Sequence, residues 1–402
     1  MTILDGEMRI KELVITGLGG IPYLSLSDLN PHMNIICGEN GVGKTNILDA
    51  ITTCFSHYKL NRLKKQFGVD SGNIRVKVQD GEESKDVEMS IADFEPVDAM
   101  VQVIGQGQEF SKSLMYLPAD RKIQYKSSTG LPKDRRLDQD LYIFHDGISD
   151  EDLKSWFISR NLISHQPVTS LTDAQKEITN LAVSFFSVID ERVSFKTITA
   201  NYDILLATPT GDIYFEYMSS GFKSIFFVLL GILKELDLRF KDKEVLPAQF
   251  YGVILIDEIE LHLHPEWQAK ICEILRTAFP EAQFFITTHS PHVVQSAKSG
   301  EIISLQRQVD QESGNSQVFA RELIGGNSYA FQGWTIEEIL EDVMGMKSTR
   351  SEEFELAMQR FDDALDTSNK IEAQKAYSTL SEMLHPSSHV KKLLRLQMAG
   401  LR

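Results

Sequence analysis

Hydrophobic and polar positions change period repeatedly along the chain, and each change marks an element. Apolar residues alternate around 8–15, and 33–37 (MNIIC) is an unbroken apolar run; both read as strands flanking a turn region that contains Gly and Pro. From Lys44 to about Leu63 the spacing becomes helical, with Ile47, Leu48, Ile51, Cys54, Phe55 and Tyr58 on one face. Alternation returns on both sides of Asp80-Gly81, the signature of a hairpin, and a short strand at 114–117 stops at Pro118. Residues 119–200 are polar and mainly helical in pattern. Their best helix, 172–193, opens with Thr172 and Gln175 at capping-box spacing. A second hairpin turns at Pro209–Asp212. It leads into a buried helix (222–237), a strand (252–256), a helix (265–278) and strands at 283–287 and 301–307. Strand–helix–strand alternation with near-continuous apolar strands predicts an α/β fold whose parallel sheet is covered on both faces.

From about 327 three helical segments follow one another, and 327–402 reads as a helical C-terminal appendage. The remaining boundaries fall at 1–118, 119–200 (a helical lobe) and 201–326. The bulk composition is ordinary for a globular chain of 402 residues, 42% hydrophobic and 24% charged. A net charge of −16 argues against a surface that coats nucleic acid non-specifically, while leaving room for a local basic groove or a basic partner. The three cysteines, Cys37, Cys54 and Cys272, lack ligand spacing, which fits a reducing cytoplasmic location. No secretory signal and no run long enough to span a bilayer is evident, so no membrane role is expected.

Three segments carry chemistry. Gly38-Glu39-Asn40-Gly41-Val42-Gly43-Lys44-Thr45 fits GxxxxGK[ST] between a strand and a helix. Glycines there allow backbone N–H groups to converge on an anion at a helix N-terminus. Lys44 would reach the β- and γ-phosphates of ATP and Thr45 would ligate Mg²⁺; Gly38, Asn40, Gly41, Gly43 and Asn46 complete the expected nucleotide contacts. Val253–Ile256 is a buried strand that delivers Asp257 and Glu258 to its C-terminal edge. Asp257 would hold the metal and Glu258 would orient and deprotonate the attacking water. A further apolar strand ends in Thr287-Thr288-His289-Ser290, placing His289 one strand–helix–strand step on, where its imidazole could meet the γ-phosphate.

Together these segments resemble the ATP-binding-cassette class of ATPases. In that class a signature, LSGGQ, precedes the acidic strand and serves the nucleotide of a second protomer packed head to tail. Met218-Ser219-Ser220-Gly221-Phe222 occupies the slot, so the resemblance implies that Ser219 and Gly221 contact the partner's ATP. Ser220 and Phe222 depart from the family's Gly and Gln. An ordinary Ser N-cap on a buried helix is the competing reading. Glu260–Gln268 follows the acidic strand where the family's loop crosses the dimer interface; Pro265 there also suits a helix first turn. After the 114–117 strand, where the family carries a glutamine, Arg121 is the candidate nucleotide sensor. Basic residues around 121–136 and 59–65 could face nucleic acid or a partner, or be salt-bridged surface. The closing basic amphipathic stretch suits docking on another subunit or is a fraying helix.

No sustained heptads separate Thr45 from Ser219, which sets aside long coiled coils. GENGVGKTNILDAI, SSGFKSIF, IDEIELHLHPEWQ and TTHSPHVV look most like the PtuA ATPases of Septu and retron anti-phage systems and, more distantly, OLD-type proteins. The resemblance implies a slow, regulatory ATPase that forms dimers or higher oligomers. It also implies that the chain lacks a nuclease of its own and controls a separately encoded nuclease or toxin, of HNH type. The alternative is a DNA-maintenance ATPase resembling RecF, a clamp that grips DNA on binding ATP.

Overall fold

The computed structural model describes residues 8–55, 63–92, 107–119, 151–166, 171–241, 243–309, 316–321 and 329–400. It divides into two compact units, 1–345 and 346–402.

The first unit is built around a six-stranded sheet in the order β13-β12-β3-β11-β10-β6. Its strands are β3 (Met33–Gly38), β6 (Leu114–Leu117), β10 (Val253–Ile256), β11 (Gln283–Thr287), β12 (Ile302–Val309) and β13 (Ser316–Ala320). All neighbours are parallel except the β12–β13 edge pair. The side chains of each central strand split between two cores. Ile254 and Ile256 of β10 enter one, Val253 and Leu255 the other; Phe284 and Ile286 of β11 oppose Phe285 in the same way. This is why these strands read as continuous apolar runs, since no face is left for polar residues.

One core packs beneath β1 (Met8–Leu18), β2 (Ile21–Leu26), β4 (Gly72–Asp80) and β5 (Glu83–Ile91), an antiparallel sheet in the order β2-β1-β4-β5, together with the helix Lys44–Phe55. The other packs under three helices, Glu151–Ser164, Asp173–Ile189 and Ser220–Arg239, backed by a small sheet of β7 (Ser194–Ile198), β8 (Ile204–Thr208) and β9 (Gly211–Tyr214). The helix Asp173–Ile189 opens with the complete capping box: Thr172 accepts from the Gln175 N–H, and the Gln175 side chain returns to the Thr172 N–H. Residues Ala330–Met344 pack onto Cys37 and Val294 in a smaller cluster of the same unit.

Several elements differ from the sequence reading, among them the strands β7 and β13, which it did not predict. The helix that starts at Lys44 is described as far as Phe55; its expected continuation over 56–62 lies outside the described residues, and Leu63 is not helical. Within the expected turn region lies β2, a strand despite Pro22, because it is a sheet edge where a missing N–H costs no ladder bond. The expected helix 265–278 is two pieces, Pro265–Gln268 and Ile271–Ala278.

The second unit consists of helices Glu352–Asp366, Lys370–Met383 and His389–Gly400 around Phe354, Phe361, Leu380 and Leu394. Ser351 and Asn369 cap the first two. No helix among the described residues is long and apolar enough to cross a membrane.

Candidate functional site

β3 ends at Gly38, and the chain wraps round to enter the helix at Lys44. Gly38 has φ +133°, and a Cβ there would fall 2.1 Å from the Leu305 carbonyl oxygen of β12, so only glycine fits. The Lys44 Nζ donates to the carbonyls of Gly38 and Glu39, each at 2.9 Å, folding the side chain back along the loop. Burial holds the Lys44 ammonium below the ordinary lysine range, and the carboxylates of Glu260, Asp257 and Glu258 oppose that effect. Burial also pushes the Cys37 thiol beneath it up to about 12. Asn46, in the helix's first turn, lies against Gly19 of the β1–β2 turn, where a Cβ would approach its Nδ2 to 2.5 Å. Asn40 and Gly41 are exposed on the loop.

Register brings the acidic strand end to this loop. β11 lies between β3 and β10, with Ile286 opposite both Ile35 and Ile256. Thr45 Oγ1 then donates to the Asp257 carboxylate, 3.2 Å from Oδ1 and 3.1 Å from Oδ2. Thr287, at the end of β11, joins the two acids: its hydroxyl donates to Asp257 Oδ1 at 2.5 Å and accepts the Glu258 N–H at 2.8 Å. Asp257 is buried, whereas Glu258 is half-buried and turns off the strand with φ +47°, a left-handed conformation uncommon outside glycine.

Glu260 braces the next loop. It accepts from Thr288 Oγ1 at 2.8 Å and from the His289 N–H at 2.5 Å, leaving the His289 side chain on an exposed residue at the sheet's C-terminal edge. Ser290 caps the helix Pro291–Gln295 and donates to Gln268 Oε1 at 2.6 Å.

Ser219 is the N-cap of Ser220–Arg239, its side chain accepting the Phe222 N–H at 3.2 Å. Gly221 is closely covered, for a Cβ there would meet Trp267 Cζ3 at 2.7 Å and the His262 carbonyl at 2.9 Å. Ser224 donates to the Leu261 carbonyl at 3.0 Å. The helix start and the 262–270 segment thus line a cavity of about 1260 Å³ with Asp190 and Arg192, which no residue of the Gly38–Thr45 loop enters.

The structure therefore gathers Lys44, Thr45, Asp257 and Glu258 at one edge of the sheet and sets Ser219 and Gly221 at a separate cavity. Arg121 lies outside the described residues, as does the whole of the basic stretch 121–136. The roles of three residues here were not read from the sequence: Thr287, Glu260 and Trp267. Thr287 stands in the quoted TTHS segment, but only the register of β10 against β11 shows what its hydroxyl does.

The donor set suits a magnesium ion. Thr45 and Asp257 bring hard oxygen atoms together, 3.1–3.2 Å apart, which is the donor chemistry a magnesium ion takes. A parallel sheet, a glycine loop that opens a helix, an acidic strand end and a capped helix before it make up a P-loop ATPase head of the ABC type.

Two protein families match the chain. One is described as "AAA domain, putative AbiEii toxin, Type IV TA system" and spans residues 125–295; the other, "AAA domain", spans 12–185. The Septu protein PtuA of Bacillus thuringiensis is 40% identical over 395 residues, covering 97% of this chain and 98% of that protein. The retron Ec83 probable ATPase of Escherichia coli is 36% identical over 124 residues, 31% of this chain and 21% of its own length. Among solved structures, the SMC head domain from Thermotoga maritima aligns with a TM-score of 0.43 at 15% identity, covering 78% of this chain and 100% of that one.

Proposed function

The chain belongs to the PtuA family of Septu proteins, and from that premise we propose that it is the ATP-binding and ATP-hydrolysing subunit of an anti-phage defence complex. The observation that carries the reading is the hydrogen-bonded approach of Thr45 to Asp257 beside a P-loop whose lysine is already folded along it.

Lys44 would exchange its two carbonyl partners for phosphate oxygens, gaining charge-assisted bonds in a buried setting. The N–H groups of the loop and the first helical turn, including Asn46, would cradle the same oxygens. Thr45 and Asp257 would hold Mg²⁺, which neutralises charge on the phosphates when bound. Glu258 would orient a water molecule and take its proton; in support, its backbone N–H is held by Thr287 beside Asp257 and its φ of +47° turns the chain off the strand. His289 would contact the γ-phosphate from the neighbouring strand end.

Ser219 and Gly221 are assigned to the nucleotide of a second copy. In support, they line a cavity that contains no P-loop residue of their own chain. Complementation tests this. Ser219→Arg and Lys44→Ala chains are expected to be inactive alone and to regain ATPase activity when mixed, since one pocket in the mixed dimer is intact. No recovery would remove the shared pocket.

ATP-dependent assembly is proposed to restrain or license a separately encoded nuclease or toxin, with an HNH nuclease favoured. Co-purification from the native operon checks it: a neighbouring nuclease that fails to co-purify and is equally toxic without this chain would end that assignment.

A further inference from the structure

The middle of the P-loop is held from outside by a side chain that the proposed reaction does not use. Arg307, an exposed residue of β12, donates from Nη2 to two carbonyls, Gly20 at 3.0 Å and Gly41 at 3.1 Å. Its strand pairs in parallel with β3 in the register Leu305 opposite Gly38, so Arg307 stands just beyond the point where β3 opens into the loop. Gly41 has φ +74° and nothing within 4 Å of the position a Cβ would take, so although Val42 beside it is anchored in the core, the bonds from Arg307 are what hold the Gly41 carbonyl in its direction.

Peptide geometry turns that bond into a statement about the anion site. The described chain contains no cis peptide bond, and in a trans peptide the C=O and the following N–H point in opposite directions. A Gly41 carbonyl held on Arg307 therefore directs the Val42 N–H away from Arg307. The same guanidinium ties in the β1–β2 turn through Gly20, and the preceding residue of that turn, Gly19, rests against Asn46 at the far side of the loop. The loop is thus clamped at both flanks by one turn, with Arg307 as the fastening.

We propose that Arg307 is a positioning residue for phosphate recognition: by holding the Gly41 carbonyl outward it aims the Val42 N–H at the bound phosphates. This rests on the ATP reading above. Without the guanidinium the Gly41–Val42 peptide is free to flip and present its carbonyl oxygen, which repels phosphate.

The test compares wild type, Arg307→Met, Arg307→Lys and Lys44→Ala as full-length chains, measuring affinity for Mg-ATP and for tripolyphosphate together with the melting midpoint. Arg307→Met is expected to weaken both ligands by about the same factor, roughly tenfold, with an unchanged midpoint. Arg307→Lys should recover most of the loss, because an ammonium carries enough donors for both carbonyls. Equal loss for ATP and tripolyphosphate would locate the effect at the phosphates, which a general structural role would not do. If Arg307→Met binds like wild type where Lys44→Ala does not, or loses ATP but not tripolyphosphate, the assignment of Arg307 alone is overturned. If wild type binds neither ligand, the nucleotide reading falls and this one with it.

Discussion

Thr287 and Asp257 share a 2.5 Å hydrogen bond between adjacent strand ends, and the same threonine hydroxyl accepts the backbone N–H of Glu258. One oxygen atom thereby sets the orientation of the proposed metal-binding acid and the backbone of the proposed catalytic base.

Thr287→Val keeps the shape and removes both bonds. We expect it to leave ATP binding within about threefold of wild type and to lower hydrolysis by about 10–100-fold, because a misplaced base costs rate more than affinity. Single-turnover phosphate release alongside equilibrium nucleotide binding checks the split. A variant with unchanged turnover would show that Glu258 needs no such support.

Gly221 is required by contact rather than by backbone angle. In Gly221→Ala the new methyl would overlap Trp267 Cζ3 and the His262 carbonyl, so the helix start must move away from the 262–270 segment. A destabilisation of about 1–3 kcal/mol is expected, with altered tryptophan emission and loss of complementation activity. Denaturant titration read by fluorescence measures it. An alanine variant as stable and active as wild type would mean that the two segments separate easily.

Lys44 gives a pH dependence with a defined sign. Burial lowers its pKa in the folded, nucleotide-free chain below the ordinary 10.5, while bound phosphates would raise it. Between those two values ATP binding takes up a proton, so affinity should fall as pH rises through the free-state value, by up to about tenfold per pH unit. Dissociation constants from pH 7.5 upward should show this decline beginning below 10.5, and Lys44→Arg, charged throughout, should give a flat profile. A wild-type profile as flat as that of Lys44→Arg would place Lys44 away from the phosphates.

Much of this arrangement was legible in the sequence because its elements are fully buried and therefore strongly patterned. β3, β10 and β11 are apolar on both faces, and the residues at their ends are polar because they stop at the sheet's edge. The loop and the acid pair stand out by their spacing for the same reason, whereas the signature slot was assigned through the family resemblance. What stayed hidden depends on three-dimensional register. Nothing local marks Thr287 as the link between two acids or Glu260 as the brace of the 288–289 backbone. Arg307 sits on an exposed strand position of the kind that usually reads as surface. β7 was missed because its residues are mostly exposed and show no alternation, and β2 because Pro22 reads as a turn signal unless the strand is known to be an edge.

The helix Ser220–Arg239 is also held at its far end. Asp237 is buried near the C-terminus of Ser220–Arg239 and accepts from Trp156 Nε1 at 2.7 Å, Arg160 Nε at 2.7 Å and Gln175 Nε2 at 2.8 Å. Those donors come from the two other helices of the lobe, so a single carboxylate joins all three. Two residues on, Arg239 donates to the Leu114 carbonyl of β6 at 2.6 Å, fixing the same helix end to the central sheet. Breaking a buried ion pair from one side commonly costs about 3–5 kcal/mol, so Asp237→Ala should be among the most destabilising single changes in the lobe. Asp237→Asn separates charge from shape: it keeps a side-chain acceptor but not the anion that Arg160 faces, and should fall between wild type and alanine. Because Trp156 bonds the same carboxylate, its emission should shift in both variants under native conditions. Losses below about 1 kcal/mol, with unchanged emission, would mean that apolar packing around Phe157, Phe186 and Phe226 holds the lobe without this node.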